Sequence, residues 1–249
     1  KMQWSVKGRG LEKSDLAVID LLVNSNWERP IYMNTTSLAS VNFDIRKYAV
    51  QEGIAYRILP VSNPNPQEYQ VDLDVMYDNV MNKYQWRELD NPNVYYSEDY
   101  RNFVLNHRSA FNSLAISLME DGQYKKAEAV IEKCLTAMPN EAIPYDYFNM
   151  QQVGILLELD QYQKSGEVNE TSKLKSMADN IAEITVSRNA EMLDYMIKNK
   201  NYNLTEMQQM LISLNTITRA YRASGYKEEA AKYEELFNKY YQEFQNAAK

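Results

Sequence analysis

The chain is poor in the residues that build metal sites, form disulfides or interrupt helices. Among its 249 residues there is one cysteine, Cys134, and one histidine, His107, with only 7 glycines and 7 prolines. A single cysteine excludes an intramolecular disulfide, and a single histidine excludes a histidine-rich metal site. The scarcity of helix breakers, beside 20 tyrosines, favours a mostly helical fold with aromatic side chains between the helices.

Long apolar runs and a positive net charge are also missing from the sequence. No segment reaches the roughly 20 apolar residues that a membrane-spanning helix needs. The net charge of −7 argues against nucleic acid as a partner. The sequence also has no phosphate-binding glycine loop. Asp72, Asp74 and Asp78 resemble half of a calcium loop, but no glycine turn and no closing glutamate follow at the required spacing. We therefore expect no catalytic residue, no metal and no cofactor in this chain.

Residues 108–140 contain the most specific pattern, two amphipathic segments separated by Gly122. We expect Gly122 to end the first helix and Pro139 to end the second. The order of large and small residues resembles one tetratricopeptide (TPR) repeat, a helix–turn–helix unit that binds partners and performs no chemistry itself. Spacing of i, i+3, i+4 and i+7 defines the two apolar faces. These are Phe111, Leu114, Ala115, Leu118 and Met119, and then Ala127, Val130, Ile131, Cys134, Leu135 and Met138.

Further segments with a helical pattern follow to the end of the chain. A polar segment connects two of them, and we predict that it is an insertion. The sequence therefore predicts a mainly α fold in two domains. Residues 1–92 form a small mixed α/β unit, and residues 93–249 form a TPR-like array of helical hairpins. The additional helical segments are 143–163, 173–199 and 205–244, and the polar segment is 164–172.

The mixed unit begins with a helix predicted over residues 15–24, with Ser14 as its N-cap. Apolar residues surround this helix almost completely, which predicts deep burial. Two strands are predicted at 31–33 and 54–61, with a short helix at 44–51 between them. The order strand, helix, strand predicts a βαβ-like unit in which the two strands are parallel.

Aromatic and arginine side chains surround the two predicted strands. Aromatic rings stack on sugars, and guanidinium groups bind oxyanions through paired hydrogen bonds. The pattern predicts a candidate site for a carbohydrate or a lipid-linked sugar phosphate. The other interpretation is a structural joint between the mixed and helical parts. The residues of this candidate site are Trp27, Arg29, Tyr32, Tyr56 and Arg57.

Three segments carry a resemblance to a known family. The sequences NWERPIY at 26–32, QEGIAYRILPV at 51–61 and NVM at 79–81 resemble the soluble C-terminal region of the DUF2723 membrane proteins, which are common in Bacteroidetes. The resemblance implies an upstream multi-pass membrane region similar to GT-C-type glycosyltransferases, including protein O-mannosyltransferases. In that architecture the catalytic carboxylate lies in an early extracytoplasmic loop. The resemblance therefore assigns no catalytic residue to any position of this chain.

These patterns lead to one functional hypothesis and one alternative. We expect the chain to be the non-catalytic tail of a multi-pass glycosyltransferase-like membrane protein, on the periplasmic face of the inner membrane. Its role would be to hold a protein or peptide partner, with the membrane attachment supplied by an upstream region. The alternative is binding of a glycan or lipid-linked sugar phosphate by the N-terminal Trp/Arg/Tyr residues.

Overall fold

The computed structural model describes residues 2–8, 10–64, 70–163 and 172–247. Contacts divide the chain into two compact units. The N-terminal unit comprises Lys1–Gln85 and Asn102–Ser117, and the helical unit comprises Trp86–Arg101 and Leu118–Lys249. The predicted mainly helical fold with a small α/β unit at its start is confirmed. The predicted domain boundary at residue 92 stays a prediction.

The N-terminal unit contains a four-stranded sheet with the order β1-β3-β2-β4. The predicted parallel pairing is wrong, because β1 and β3 are antiparallel neighbours with Ile31 opposite Ile58 and Asn34 opposite Ala55. β2 also pairs antiparallel with β3, while β2 and β4 are parallel. The strands are β1 (Ile31–Asn34), β2 (Ala49–Gln51), β3 (Ala55–Ile58) and β4 (Gln70–Val71).

The short helix predicted at 44–51 is also wrong. Only Arg46–Tyr48 forms a 3-10 turn, and the chain then continues directly as β2. All three residues of β2 are buried, and the strand is bonded on both edges. Pairing with strands that lie elsewhere in the sequence thus overrides the local helical pattern, as is common for short segments.

Helix α1 (Lys13–Asn24) begins two residues earlier than predicted, because Glu12 is its N-cap and Asp15 completes a capping box. The expectation of deep burial is wrong. Within α1 only Asp15 and Leu22 are buried, whereas Leu16 and Val23 are 55% and 68% exposed. The apolar residues of α1 therefore lie on two sides of the helix, and only one of these sides faces the core.

The apolar core of the N-terminal unit lies under one face of the sheet. Phe43 and Ile45 are fully buried in it, and Trp4 packs on Phe43 with ring centroids 5.2 Å apart. Burial of one such side chain contributes about 1.5–3 kcal/mol. The core residues are Leu22, Met33, Leu38, Val41, Phe43, Ile45, Tyr48, Ala49, Tyr56 and Ile58. Two short helices accompany the sheet, α2 (Thr35–Ser40) and α3 (Leu73–Asp78), the latter continuing as a π-helical segment, Asn79–Lys83.

Helices α4 (Glu98–Glu120) and α5 (Tyr124–Ala137) occupy the TPR-like segment, and Gly122 lies between them as predicted. Gly122 has a φ of 75°, and its N–H donates to the carbonyl of Met119 at 2.9 Å. The next N–H, of Gln123, donates to Leu118 at 2.7 Å, which completes a Schellman motif. Both predicted apolar faces are buried except at Leu135, which is half-buried. Assignment to the TPR family itself stays a prediction.

Four further helices complete the helical unit. Side-chain caps start two of them: Ser172 accepts from the N–H of Lys175 at 3.1 Å, and Asn203 accepts from that of Glu206 at 3.3 Å. The helices are α6 (Tyr147–Gln163), α7 (Lys173–Asn199), α8 (Leu204–Ala223) and α9 (Lys227–Ala247). Residues 164–171 of the predicted polar insertion lie outside the described residues. Within the parts of the chain that the structure describes, no helix has the length and apolar character needed to cross a bilayer.

Candidate functional site

A buried carboxylate, Glu52, organises the exposed face of the N-terminal sheet. Tyr32 on β1 and Arg57 on β3 are cross-strand partners, so their side chains project from the same face. The hydroxyl of Tyr32 donates to Oε2 of Glu52 at 2.6 Å, and a guanidinium nitrogen of Arg57 lies 3.4 Å from Oε1. Asn79 donates to the backbone carbonyl of Glu52 at 2.7 Å, which fixes the turn after β2. We call Tyr32, Glu52 and Arg57 the Glu52 cluster.

The electrostatics of the Glu52 cluster follow from this geometry. Glu52 is 7% exposed, whereas Tyr32 is 49% exposed and the Arg57 side chain 42%. The hydrogen bond to Glu52, together with burial, raises the pKa of Tyr32 above its ordinary value. The cluster thus presents a neutral phenol and a guanidinium to solvent over a carboxylate that offsets the arginine charge. Such a surface can offer both donors and acceptors to hydroxyl-rich ligands.

The structure separates the other three predicted site residues from the exposed pair. Tyr56 is buried in the core beneath the opposite face of the sheet. Trp27 packs partly buried against the same core and takes a left-handed backbone conformation, with a φ of 59°. Arg29 is exposed in the connection between α1 and β1. Sequence reasoning missed Glu52, although a lone acidic residue before the glycine of a tight strand connection was an available signal.

The helical unit contains a groove between α6 and α8 with a volume of about 550 Å³. Small residues form its floor: a Cβ placed on Gly154 of α6 would lie 3.8 Å from the Cβ of Ala220 on α8. This volume falls within the range of roughly 300–1,000 Å³ that is typical of ligand pockets. The lining residues are Gly154, Glu158, Gln161, Tyr162, Ala220, Ala223 and Ser224. We call this feature the α6/α8 groove.

Polar and aromatic contacts hold one end of the α6/α8 groove in place. The amide of Gln161 donates to the carbonyl of Ser224 at 2.6 Å and so ties the end of α6 to the end of α8. Tyr162 stacks on Tyr124 of α5 with ring centroids 4.2 Å apart and planes 21° from parallel. The ring of Tyr162 is 48% exposed, so an incoming side chain can reach it.

A second polar cluster lies inside the helical unit around the buried ammonium of Lys175 on α7. Its Nζ lies 2.7 Å from Oδ1 of Asp179 and 2.9 Å from Oε1 of Glu229 on α9. The hydroxyl of Tyr221 on α8 donates to the same Asp179 oxygen at 2.6 Å, and the Tyr226 ring lies 4.8 Å from the ammonium. We call these five residues the Lys175 cluster, and it joins three helices.

The pKa values within the Lys175 cluster support a structural role. Burial lowers the pKa of Lys175, but hydrogen bonds to Asp179 and Glu229 outweigh burial, so the pKa lies above its ordinary value. Burial and the hydrogen bond to Asp179 raise the pKa of Tyr221 far above its ordinary value. Lys175 therefore stays protonated and Tyr221 stays neutral near neutral pH, unlike a catalytic acid or base tuned to titrate there.

The histidine and the cysteine each lie within a helix. His107 is half-buried in α4, and burial lowers its pKa. Cys134 is buried in α5 and accepts a hydrogen bond from the amide of Gln152 at 3.2 Å. Among the described residues, no group of three or more His, Cys, Asp or Glu side chains is placed to hold a metal ion.

Comparison with known families gives one match, over residues 1–75. This segment matches the family described as TMEM260-associated domain 2. The match indicates a family of domains associated with a membrane protein, and it covers the sheet with all three residues of the Glu52 cluster. No curated protein and no solved structure shows significant similarity to the chain. The resemblance to the DUF2723 family stays a prediction.

Proposed function

We propose that this chain is a non-catalytic interaction module of a larger membrane protein, which holds a protein or peptide partner in the α6/α8 groove. The family match over residues 1–75 supports the association with a membrane protein. The groove supplies the single observation that carries the binding role: an open, mixed polar and apolar channel of about 550 Å³ on a helical scaffold. The proposed location is the extracytoplasmic, periplasmic face of the inner membrane.

The shape of the groove suits an extended or helical peptide segment. Gly154 and Ala220 leave the floor free of bulky side chains, so a partner backbone can approach closely. Gln161 and Tyr162 then provide hydrogen bonding and ring contact at one end. Aromatic anchors beside small residues are typical of sites in which a few contacts supply most of the affinity.

A photocrosslinking experiment tests this proposal. Benzoylphenylalanine is placed at Ala223, which lines the groove, or at Ala231, an exposed alanine on α9, in the full-length protein in its own cells. We expect one discrete crosslinked protein from position 223 and none from position 231, with identification by mass spectrometry. The absence of a crosslink at 223, or the same products from both positions, would contradict the proposal.

The Glu52 cluster supports carbohydrate binding as a second candidate function. The observation in its favour is the exposed pair of Tyr32 and Arg57 held by a buried carboxylate. Because Glu52 offsets the charge of Arg57, we expect neutral oligosaccharides to bind better than a hexose 1-phosphate. NMR titration of the chain with both probes tests this candidate, with the Tyr32→Phe variant as control. If neither probe shifts the Arg57 side-chain signals at millimolar concentration, this candidate function is wrong.

A further inference from the structure

The charge of the α6/α8 groove comes from one side chain. Among the described residues that line it, Glu158 is the only one that carries a charge, and it is exposed. The other lining residues are neutral, and four of them are glycine, alanine or serine. A partner seated there therefore meets a negative charge surrounded by small and aromatic surface.

The acidic neighbours of Glu158 are already engaged within the helical unit, whereas Glu158 is not. Glu128 on α5 accepts a hydrogen bond from the amide of Gln163 at 2.7 Å. The carboxylate of Asp160 accepts from the hydroxyls of Tyr226 and Ser172. No side chain in the described part of the chain forms a salt bridge or hydrogen bond with Glu158.

The basic residues of α8 near the groove do not neutralise it. Arg222 points to α9, where its guanidinium lies 2.6 Å from a carboxylate oxygen of Glu234. Arg219 is exposed one turn before Ala223, but it is not among the residues that line the groove. The groove thus keeps its negative character beside two arginines.

An aromatic surface lies beside the unengaged carboxylate. Tyr162 and Tyr124 form a stacked pair, and the half-exposed Tyr162 ring belongs to the groove lining. The negative faces of aromatic rings attract ammonium and guanidinium groups. Burial and a hydrogen bond with Tyr162 raise the pKa of Tyr124, and the charge of Glu158 makes the smallest contribution to this shift.

We propose that the α6/α8 groove recognises a lysine or arginine side chain of its peptide partner. The cationic head pairs with the carboxylate of Glu158, and its aliphatic stem lies along the ring of Tyr162. This inference rests on the proposed interaction function and adds the chemical class of the partner. Nothing in it depends on the N-terminal unit.

A peptide selection tests the inference. A phage-displayed library of random peptides is selected on the whole chain and counter-selected on the Ala223→Trp variant, whose indole fills the groove. We expect the surviving peptides to share one lysine or arginine at a fixed position. Their affinity should fall about fivefold in the Glu158→Gln variant and should also fall as salt concentration rises. Arg219→Gln is the matched control, and it should leave the affinity unchanged or slightly improved.

The possible outcomes separate this inference from the proposed function. Two outcomes overturn the cationic specificity while groove binding stands. In the first, Ala223→Trp blocks peptide binding but Glu158→Gln does not weaken it. In the second, the selected peptides are acidic and Arg219→Gln weakens their binding. If no peptide is sensitive to Ala223→Trp, groove binding itself is wrong. Unchanged circular dichroism and melting temperature of all three variants show that the affinity changes are local.

Discussion

Each of the two units contains a polar cluster around a buried ion, and these two ions are of opposite sign and have different surroundings. In the N-terminal unit the buried ion is Glu52, held by a phenol and a partly exposed arginine across the sheet. In the helical unit it is Lys175, held by two carboxylates, by the ring of Tyr221 on α8 and by the ring of Tyr226 between α8 and α9. The first leaves two functional groups exposed to solvent, while the second encloses Lys175 and Tyr221 and leaves its two carboxylates about one third exposed.

The difference shows which polar cluster is available for binding. The side chain of Lys175 is only 9% exposed, and its charge is compensated by Asp179 and Glu229, so this cluster stabilises the helix packing. Tyr32 and Arg57 use one partner each within the cluster and remain about half exposed. A ligand could therefore reach the Glu52 cluster without any change in the fold. Four substitutions test this contrast, from the largest expected effect to the smallest.

The Lys175→Met substitution should have the largest effect. It removes the cation and leaves the carboxylates of Asp179 and Glu229 without their shared partner. We expect the free energy of unfolding of the helical unit to fall by about 2 kcal/mol, below the usual range for buried pairs because both carboxylates are about one third exposed. Urea denaturation followed by far-UV circular dichroism measures the change. The exposed Lys125→Met variant is the control, and equal stabilities of the two variants would show that the Lys175 cluster is not stabilising.

The Gly53→Ala substitution should destabilise the N-terminal unit almost as much. Gly53 has a φ of 148°, and an added Cβ would lie 2.0 Å from the hydroxyl oxygen of Tyr84. We expect a loss of about 2 kcal/mol from backbone strain and steric overlap. Thermal melting measures the loss. Gly10→Ala is the matched control, since nothing lies within 4 Å of its added Cβ, and a similar loss in both variants would refute the steric explanation.

The Tyr32→Phe substitution should cost about 1 kcal/mol at pH 7, because it removes one charge-assisted hydrogen bond from a half-exposed site. The pKa of Tyr32 is raised in the folded chain above 10.0. The contribution of the hydroxyl is therefore fully present below about pH 10 and is lost as the pH rises through the folded pKa. Denaturation of both proteins at pH 7, 9 and 10.5 measures this. If the stability difference between the unchanged protein and Tyr32→Phe grew above pH 10, the expected direction of the pH dependence would be wrong.

The Lys200→Gly substitution should have the smallest effect and should be stabilising. Lys200 ends α7 with a φ of 51° and makes the same Schellman hydrogen bonds that surround Gly122 and Gly225. Glycine removes the strain of a left-handed lysine, partly offset by the greater entropy of the unfolded chain, so we expect a gain of about 0.5 kcal/mol. Differential scanning calorimetry of this variant and of Gly225→Lys, which makes the reverse change, measures the expected gain and the expected loss of stability. A loss of stability in Lys200→Gly would show that the lysine side chain itself supports the turn.

The accuracy of the sequence predictions differs between the two units for a physical reason. For the helices, apolar spacing and Gly122 predicted the buried faces of α4 and α5 and the turn between them. These signals are local, since the backbone hydrogen bonds of a helix join residues four apart, and residues at the helix end determine where it stops. In the N-terminal unit, strand direction depends on distant partners, so the predicted parallel pairing and the helix at 44–51 were wrong.

The candidate sites were less predictable than the helices. The sequence identified Tyr32 and Arg57, but it placed Trp27 and Tyr56 with them, although both pack against the apolar core. Sequence reasoning also missed Glu52, whose burial depends on the sheet. The α6/α8 groove depends on Gly154 and Ala220, which are far apart in sequence and unremarkable in their local patterns.

The sequence by itself determined the helical character of the chain, the positions of its principal turns and the lack of residues for disulfide or histidine–metal chemistry. Those properties follow from composition and from interactions between residues a few positions apart. The tertiary structure alone decided which strands pair, which side of α1 is exposed, and which charges are buried or left unengaged. Glu52, Lys175 and Glu158 are ordinary charged residues in the sequence. They differ only in what the fold places beside them, because charge–charge and hydrogen-bond energies depend on distance and burial.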